Sequence, residues 1–354
     1  MKVNIFGDFY ADKTIQTTKQ LTDKLANAEA NILNLEAPVL QKPCVPIQKV
    51  GASLRHTPSV LDNLKLLNIT DVCLANNHYF DYGFDAAKKS TMLLIRNNIR
   101  VHGVDKNNYS KDFQFLNDKT VIVNVAESEN GCRKSILGKG FISVSDPFLF
   151  VYLNDFIKRD IQIILIIHAG LENSLTPLNS WKNYYRAFVD LGVELVIAHH
   201  PHVPQHHEIY NGKYIFYSLG NFVFQSKTEN KWHNTSKFVS ISLNESIEVE
   251  YYYTRYENNT LSLLDDEEKI QTDKILAMKF NEPLNLTRNY VHRQNMDIKR
   301  VFLNLLGSKI LRSFGLFKGK SNRKYDFHLH NIKFETHRFS QIEHLEKKLE
   351  DKDG

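Results

Sequence analysis

Short β-rich apolar runs in this chain end repeatedly on residues that can hold a metal ion. Asp8 follows the run Lys2–Phe6, Glu36 follows Asn31–Leu35, and Asn77 and His78 follow Asp71–Ala75. His168 follows Gln162–Ile167, and His199, His200 and His202 follow Glu194–Ala198. In open α/β sheets ligands bind outside the carboxyl ends of the strands, so the recurrence predicts one sheet edge gathering oxygen and nitrogen ligands. Further β-rich runs at Thr120–Val125, Lys213–Ser218 and Phe238–Leu243 alternate with Pro58–Leu67, Phe84–Asn97, Asp146–Lys158 and Leu178–Leu191, whose apolar residues recur three and four apart. This is the pattern of an α/β layered domain over residues 1–245, interrupted by one long excursion, Ala37–Thr57, with three prolines and a glycine.

Beyond that domain the character changes. Residues 246–286 read as a strand-rich extension of the core, with Val249–Tyr256 and Leu261–Leu264 as strands, and residues 287–354 read as a basic helical segment. Between Arg288 and Lys324 ten Lys or Arg stand against Asp297 alone, whereas the whole chain of 354 residues carries a formal charge of only +5. The rest of the chain is therefore net acidic. A solvent-facing helix, an amphipathic helix on a membrane surface and a docking helix for an acidic partner all fit residues 288–324. Nucleic acid is not expected, because no recognisable binding module accompanies the charge.

Composition narrows the setting. A hydrophobic fraction of 42% is that of an ordinary globular protein. No apolar run approaches the roughly 20 residues of a membrane-spanning helix. An acid at Asp8 interrupts what would be the apolar part of a signal peptide, which predicts a cytoplasmic location, with membrane association through the basic segment as an option. Cys44, Cys73 and Cys132 are odd in number and lack CxxC spacing, which argues against both a disulfide framework and a cysteine zinc site.

Carboxylates mixed with imidazoles suit Mn, Fe, Zn or a mixed pair, and a carboxylate such as Glu36 can bridge two ions roughly 3.5–4 Å apart. Two such cations can clamp a phosphoryl oxygen and ionise a water near neutral pH. Taken singly, Asp8 also fits a turn residue, Glu36 a surface acid and His168 a core histidine; the clustering is what favours ligation. Strand-end alternation in AHHPHV puts His200 and His202 on one side and His199 on the other, which leaves His199 a structural or supporting role.

The segments GDF at 7–9, NLEAPV at 34–39, LANNHYFDYG at 74–83, HAGLE at 168–172, VDLGVELVIAHHPHVPQ at 189–205 and YSLGNFVF at 217–224 resemble a known family. It is that of the capsule-synthesis and poly-γ-glutamate-synthesis accessory proteins (CapA-like), within the calcineurin-like metallophosphoesterase superfamily. The likeness runs in the correct order over residues 1–240. It implies a four-layer α-β-β-α sandwich, here with a basic C-terminal helical extension. It also implies two divalent metal ions on Asp8, Glu36, Asn77, His168, His200 and His202, with Glu36 bridging. His78 falls where a residue near the leaving group stands, and Asp81 where an acid could orient His78 and raise its pKa towards the general-acid range. Glu172 also stands where this branch has an acid. Lys49 and Arg55 resemble a basic pair able to clamp a phosphate or carboxylate; Ser218, Gly220 and Asn221 read as a tight turn that walls the site, where Asn221 fits either a substrate contact or packing alone. One departure is visible: the first motif reads Asp8-Phe9-Tyr10 where the superfamily has DxH, so one metal site loses an imidazole and Tyr10 is a weak ligand or none.

The expected function is a metal-dependent phosphohydrolase acting on a phosphorylated metabolite or glycan precursor in capsule or other surface-polysaccharide biosynthesis. The alternative is a non-hydrolytic accessory subunit of a surface-polymer synthase of the poly-γ-glutamate kind. Because the first 245 residues contain every expected ligand, the basic segment is expected to be dispensable for chemistry.

Overall fold

The computed structural model of the chain describes residues 1–49, 51–104, 113–132, 138–226, 230–244, 246–284 and 335–353, so the basic segment 288–324 lies outside the described residues. Two sheets carry the fold. The first runs in the order β2 (Gln16–Thr17), β15 (Thr260–Leu263), β14 (Ile247–Glu257), β13 (Thr235–Leu243), β1 (Lys2–Tyr10), β3 (Ala30–Leu35), β4 (Asp71–Cys73) and β5 (Arg100–His102), with β12 (Asn221–Phe224) paired to the end of β1. The second runs β10 (His207–Tyr210), β11 (Lys213–Phe216), β9 (Leu195–His199), β8 (Gln162–His168), β7 (Thr120–Ala126) and β6 (Gln114–Asn117). The central strands β1, β3, β4 and β5 are mutually parallel, as are β7, β8, β9 and β11.

The continuous apolar runs explain why these sheets are covered on both faces. In β8, Ile164 and Ile166 join Val3, Ile5 and Ile32 of the first sheet in a core between the sheets. The alternate residues Ile163, Leu165 and Ile167 meet Leu149, Leu153 and Phe156 of α4 (Pro147–Lys158) and Trp181, Tyr185 and Phe188 of α5 (Asn179–Leu191). On the far side of the first sheet, α1 (Lys19–Ala26), α2 (Val60–Leu66) and α3 (Gly83–Arg96) bury Leu21, Leu25, Val60, Leu64 and Leu94. The result is the four-layer α-β-β-α sandwich that the resemblance implies. Local chemistry sets the ends of these helices: Asp146 caps α4 by accepting from the Phe148 N–H ahead of Pro147, and Gly192 closes α5 in the left-handed region at φ 118°.

Residues 246–286 differ from the expected strand-rich extension. After β14 and β15 join the first sheet, the chain forms α6 (Asp266–Asn281), which opens on a capping box between Asp265 and Glu268. Its apolar residues do not line one face, since Leu276 is buried while Ile270 and Met278 are exposed, so periodicity gave no helical signal. A last helix, α7 (Glu335–Asp353), packs on α5 through Phe339 and Trp181, whose ring centroids are 5.2 Å apart. Among the described residues no helix is long and apolar enough to cross a membrane.

A lysine is buried between the layers. Lys237 on β13 is fully buried, its Nζ 3.2 Å from His207 Nδ1 and 3.4 Å from the Gln205 carbonyl, among the rings of Phe216, Tyr251 and Tyr253. Burial pushes its pKa down to about 7. The unfolded chain holds this proton to about pH 10, so between pH 7 and that value the unfolded state binds more protons and stability rises with pH. The wild-type chain should therefore gain stability relative to Lys237→Met as the pH is raised from about 7 to about 10 in urea unfolding, and parallel curves for the two proteins would contradict this account.

Candidate metal centre

The site forms where β1, β3, β8 and β9 end. Gly7 makes the first approach possible: a Cβ there would stand 1.9 Å from the Gly220 carbonyl oxygen, which instead accepts the Asp8 N–H at 2.9 Å. β1 then continues through Tyr10, with breaks of register around Asp8 against both β3 and β12. Such irregularities re-aim a side chain beside a functional site. The Asp8 carboxylate accepts from Asn34 Nδ2 at 2.8 Å and from the His200 backbone N–H at 3.1 Å.

His200 and His202 reach the same cluster by a different route from the one alternation predicts. β9 stops at His199, and the two histidines leave it with φ of 95° and 59°. Non-glycine residues rarely adopt the left-handed region, and such strain concentrates at functional sites. His199 turns away, its Nε2 donating to the Phe6 carbonyl at 3.0 Å.

Two groups of ligand atoms result, and they share Glu36. One is Asp8, Glu36 and His202; the other is Glu36, His168 and His200, and within each group the ligand atoms lie within 4.8 Å of one another. His168 Nε2 is 3.0 Å from Asn77 Oδ1 and 3.1 Å from His200 Nδ1, which adds Asn77 to the second group. Glu36 Oε1 stands 3.5 Å from His202 Nε2 and 3.9 Å from His168 Nε2. Glu36 is fully buried, and among the described residues neither carboxylate oxygen has a hydrogen-bond partner.

Burial, reinforced by repulsion from Asp8, holds the Glu36 pKa well above the carboxylate range. Burial also holds His168 well below the ordinary imidazole value and His200 down at about 4. Neutral imidazoles around an unsatisfied carboxylate are a donor set that fits divalent cations.

Beside this cluster His78 Nδ1 donates to Asp81 Oδ2 at 2.8 Å. Contrary to the expected upward shift, burial draws the His78 pKa below its ordinary value despite the bond to Asp81. Lys49 forms an ion pair with Asp81 and lies 3.2 Å from His78 Nδ1, whereas Arg55 is exposed beside Tyr10, so the expected basic clamp is divided. Asn221 lies against His202. Its Nδ2 donates to the His233 carbonyl at 3.1 Å, which turns Oδ1 to accept from His202 Nδ1 at 2.9 Å and leaves His202 Nε2 facing Glu36. Glu172 is half exposed at the mouth, 3.9 Å from His200 Nε2. The Tyr10 hydroxyl donates to Asp12 and its ring packs on His56 and Phe224, so it supplies no ligand in place of the absent imidazole.

The sequence reading missed several neighbours. Glu127 and Glu129 follow β7 and, with His200, make a third group of ligand atoms; the strand-end rule applied to Thr120–Val125 would have found them. Burial and further carboxylates raise both, Glu129 to about 8. Asn34 links Asp8 to His168, and Asn76 accepts the backbone N–H groups of His78 and Tyr79, pinning the loop that presents Asn77. His233 stacks on His202 from the mouth, with ring centroids 6.3 Å apart. Thr336 of α7 holds Glu127, a contact that no local pattern announces.

A family model described as bacterial capsule synthesis protein PGA_cap matches residues 10–128 and 157–226, a span that includes Glu36, Asn77, His78, Asp81, His168, His200 and His202. The chain is 31% identical over 170 residues to the PGA biosynthesis protein CapA of Bacillus subtilis (strain 168), an alignment covering 46% of this chain and 44% of that protein. To the capsule biosynthesis protein CapA of Bacillus anthracis it is 26% identical over 244 residues, 63% of this chain and 55% of the relative. The chain thus spans about half the length of these two relatives. Among solved structures, TT1561 of Thermus thermophilus aligns at 11% identity with a TM-score of 0.37, over 70% of this chain and 97% of that one.

Replacing Glu36 by Ala removes a buried carboxylate without a hydrogen-bond partner among the described residues, and replacing His168 or His200 changes only the rim of the sheet edge and leaves the cores between the layers intact, so the chain should remain folded. Each variant should bind at least one fewer metal ion than the wild type, measured by elemental analysis of protein purified without chelator. Unchanged content in all three would remove the assignment.

Proposed function

The chain belongs to the bacterial capsule synthesis protein (PGA_cap) family, and on that premise we propose that it is a metal-dependent phosphohydrolase. Its substrate is a phosphorylated metabolite or glycan precursor used in making a capsule or other surface polysaccharide. The observation that carries this reading is Glu36, a buried carboxylate without a hydrogen bond that is common to two ligand groups. Two divalent ions of the Mn, Fe or Zn class suit those groups, held by Asp8, Glu36 and His202 on one side and by Glu36, Asn77, His168 and His200 on the other. Bound there, they would polarise a phosphoryl oxygen and acidify a water.

The remaining work falls to the chain's own side chains. Asp81 accepts the Nδ1 proton of His78 and so aims Nε2 at the leaving oxygen; because burial favours the neutral ring, Nε2 must first take up a proton from solvent before it can hand it to that oxygen. Lys49 balances the Asp81 carboxylate and so keeps that imidazole in place. Asn221 fixes the tautomer of His202. Glu172 and Arg55 remain the groups proposed to meet the substrate at the mouth. The basic segment 288–324 is proposed to serve location or partners, at a membrane surface or an acidic protein.

A second reading has support of its own. The two relatives are named as biosynthesis proteins, and Tyr10 leaves one ligand group short of an imidazole. A non-hydrolytic accessory subunit of a surface-polymer synthase would fit both facts. Metal content together with turnover of generic aryl phosphates separates the two readings.

The role of His78 distinguishes them most sharply. His78→Ala should keep its metal content while turnover falls by roughly 10²–10⁴-fold. The loss should be larger on alkyl phosphates than on aryl phosphates, whose leaving groups need little protonation, whereas Asn77→Ala should weaken metal binding instead. Equal losses on both substrate types would exclude a leaving-group role.

A further inference from the structure

The far end of the chain reaches the metal centre. α7 begins at Glu335, and Glu335 and Thr336 are both 2% exposed. The Thr336 N–H donates to Glu127 Oε2 at 2.9 Å, and its hydroxyl donates to Glu127 Oε1 at 3.1 Å. Trp181 Nε1–H donates to the same hydroxyl oxygen at 2.9 Å, which commits the hydroxyl proton to Glu127. Glu335 accepts from the Ser128 N–H at 2.8 Å and from the Ser128 hydroxyl at 2.7 Å, one residue along from Glu127. Further along α7, Glu343 accepts from the Ser180 N–H at 2.6 Å.

Glu127 is itself 2% exposed, and its Oε1 lies 3.7 Å from His200 Nε2. That nitrogen is opposite the Nδ1 that faces His168. A histidine that ligates a metal through one ring nitrogen is oriented by an acceptor for the proton on the other, and loss of that acceptor typically costs 10–100-fold in metal affinity. A carboxylate buried at this position also needs donors of its own to remain there.

We infer that α7 completes the metal centre: Thr336 holds Glu127 beside His200 Nε2, at 3.7 Å just beyond direct hydrogen-bond reach and closer than Glu172, so that its carboxyl group sets the orientation of that ring, making Thr336 and Glu127 positioning residues for the second ligand group. The inference rests on the reading of Glu36, Asn77, His168 and His200 as metal ligands. It qualifies the expected independence of the chemistry from the C-terminal region, since Glu335 and Thr336 lie far beyond residue 245 yet bond Ser128 and Glu127.

The test uses the full chain and Mn²⁺ alone, followed by titration calorimetry, with thermal unfolding in chelator as the measure of folding. Thr336→Val keeps the side-chain shape and removes the hydroxyl; with Glu127→Gln it should weaken one class of Mn²⁺ site by about 10–100-fold and leave the other class unchanged. Thr336→Ser should restore wild-type affinity. Wild-type affinity in both Thr336→Val and Glu127→Gln would overturn the inference. So would a Thr336→Val loss of thermal stability in chelator with no change in affinity, because that marks a purely structural contact. If the wild-type chain itself binds no Mn²⁺, the ligand assignment fails and the inference falls with it, an outcome distinct from a wild type that binds and a variant that is indifferent.

Discussion

Glu36 carries a carboxylate that the protein buries completely and does not satisfy. Taking such a group out of water costs on the order of several kcal/mol unless charges or donors compensate. Lys49 favours its ionised form but is paired with Asp81, and the other groups around it do not compensate. Asp8 repels it, and His168 and His200 are held neutral by their own burial. A neutral imidazole contributes a lone pair but no charge, so a cation is what this arrangement lacks. The left-handed backbone of His200 and His202 points the same way, because strain of roughly 1–3 kcal/mol per residue persists only where the surroundings over-determine it.

The fold explains why the cluster sits where it does. Both faces of the central strands are buried, one against the other sheet and one against helices, which leaves the strand ends as the open edge where this cluster gathers. The parallel strands β1, β3, β8 and β9 deliver Asp8, Glu36, His168 and the histidine turn to one edge. Close approach at Gly7 draws β12 alongside and places Asn221 behind His202. Asp8 and His202 are each held by a neighbour outside the two groups, Asn34 and Asn221.

Much of this was legible in the sequence because strand and helix periods are local, and a ligand after an apolar run needs only a few residues to recognise. The four layers, the strand ends and the grouping of Asp8, Glu36, Asn77, His168, His200 and His202 all follow from such patterns together with the family resemblance. The agreement on His200 and His202 has a different cause from the one expected: a left-handed turn, not strand alternation, brings them together. The contact of Asn221 with His202 was not foreseen because it depends on a hydrogen bond to the His233 carbonyl, which comes from a separate segment. α6 escaped notice because its apolar residues lack a single face, although its capping box was present in the sequence. The grip of Thr336 on Glu127 joins residues with no shared local pattern, and only the folded chain shows it.

The central claim is that Glu36 is shared between two cations, and anomalous diffraction from crystals grown with Mn²⁺ tests it most directly. The account predicts two manganese peaks roughly 3.5–4 Å apart on either side of the Glu36 carboxylate. One should lie among Asp8 and His202 and the other among Asn77, His168 and His200. A single peak, or peaks that leave Glu36 uncoordinated, would contradict it.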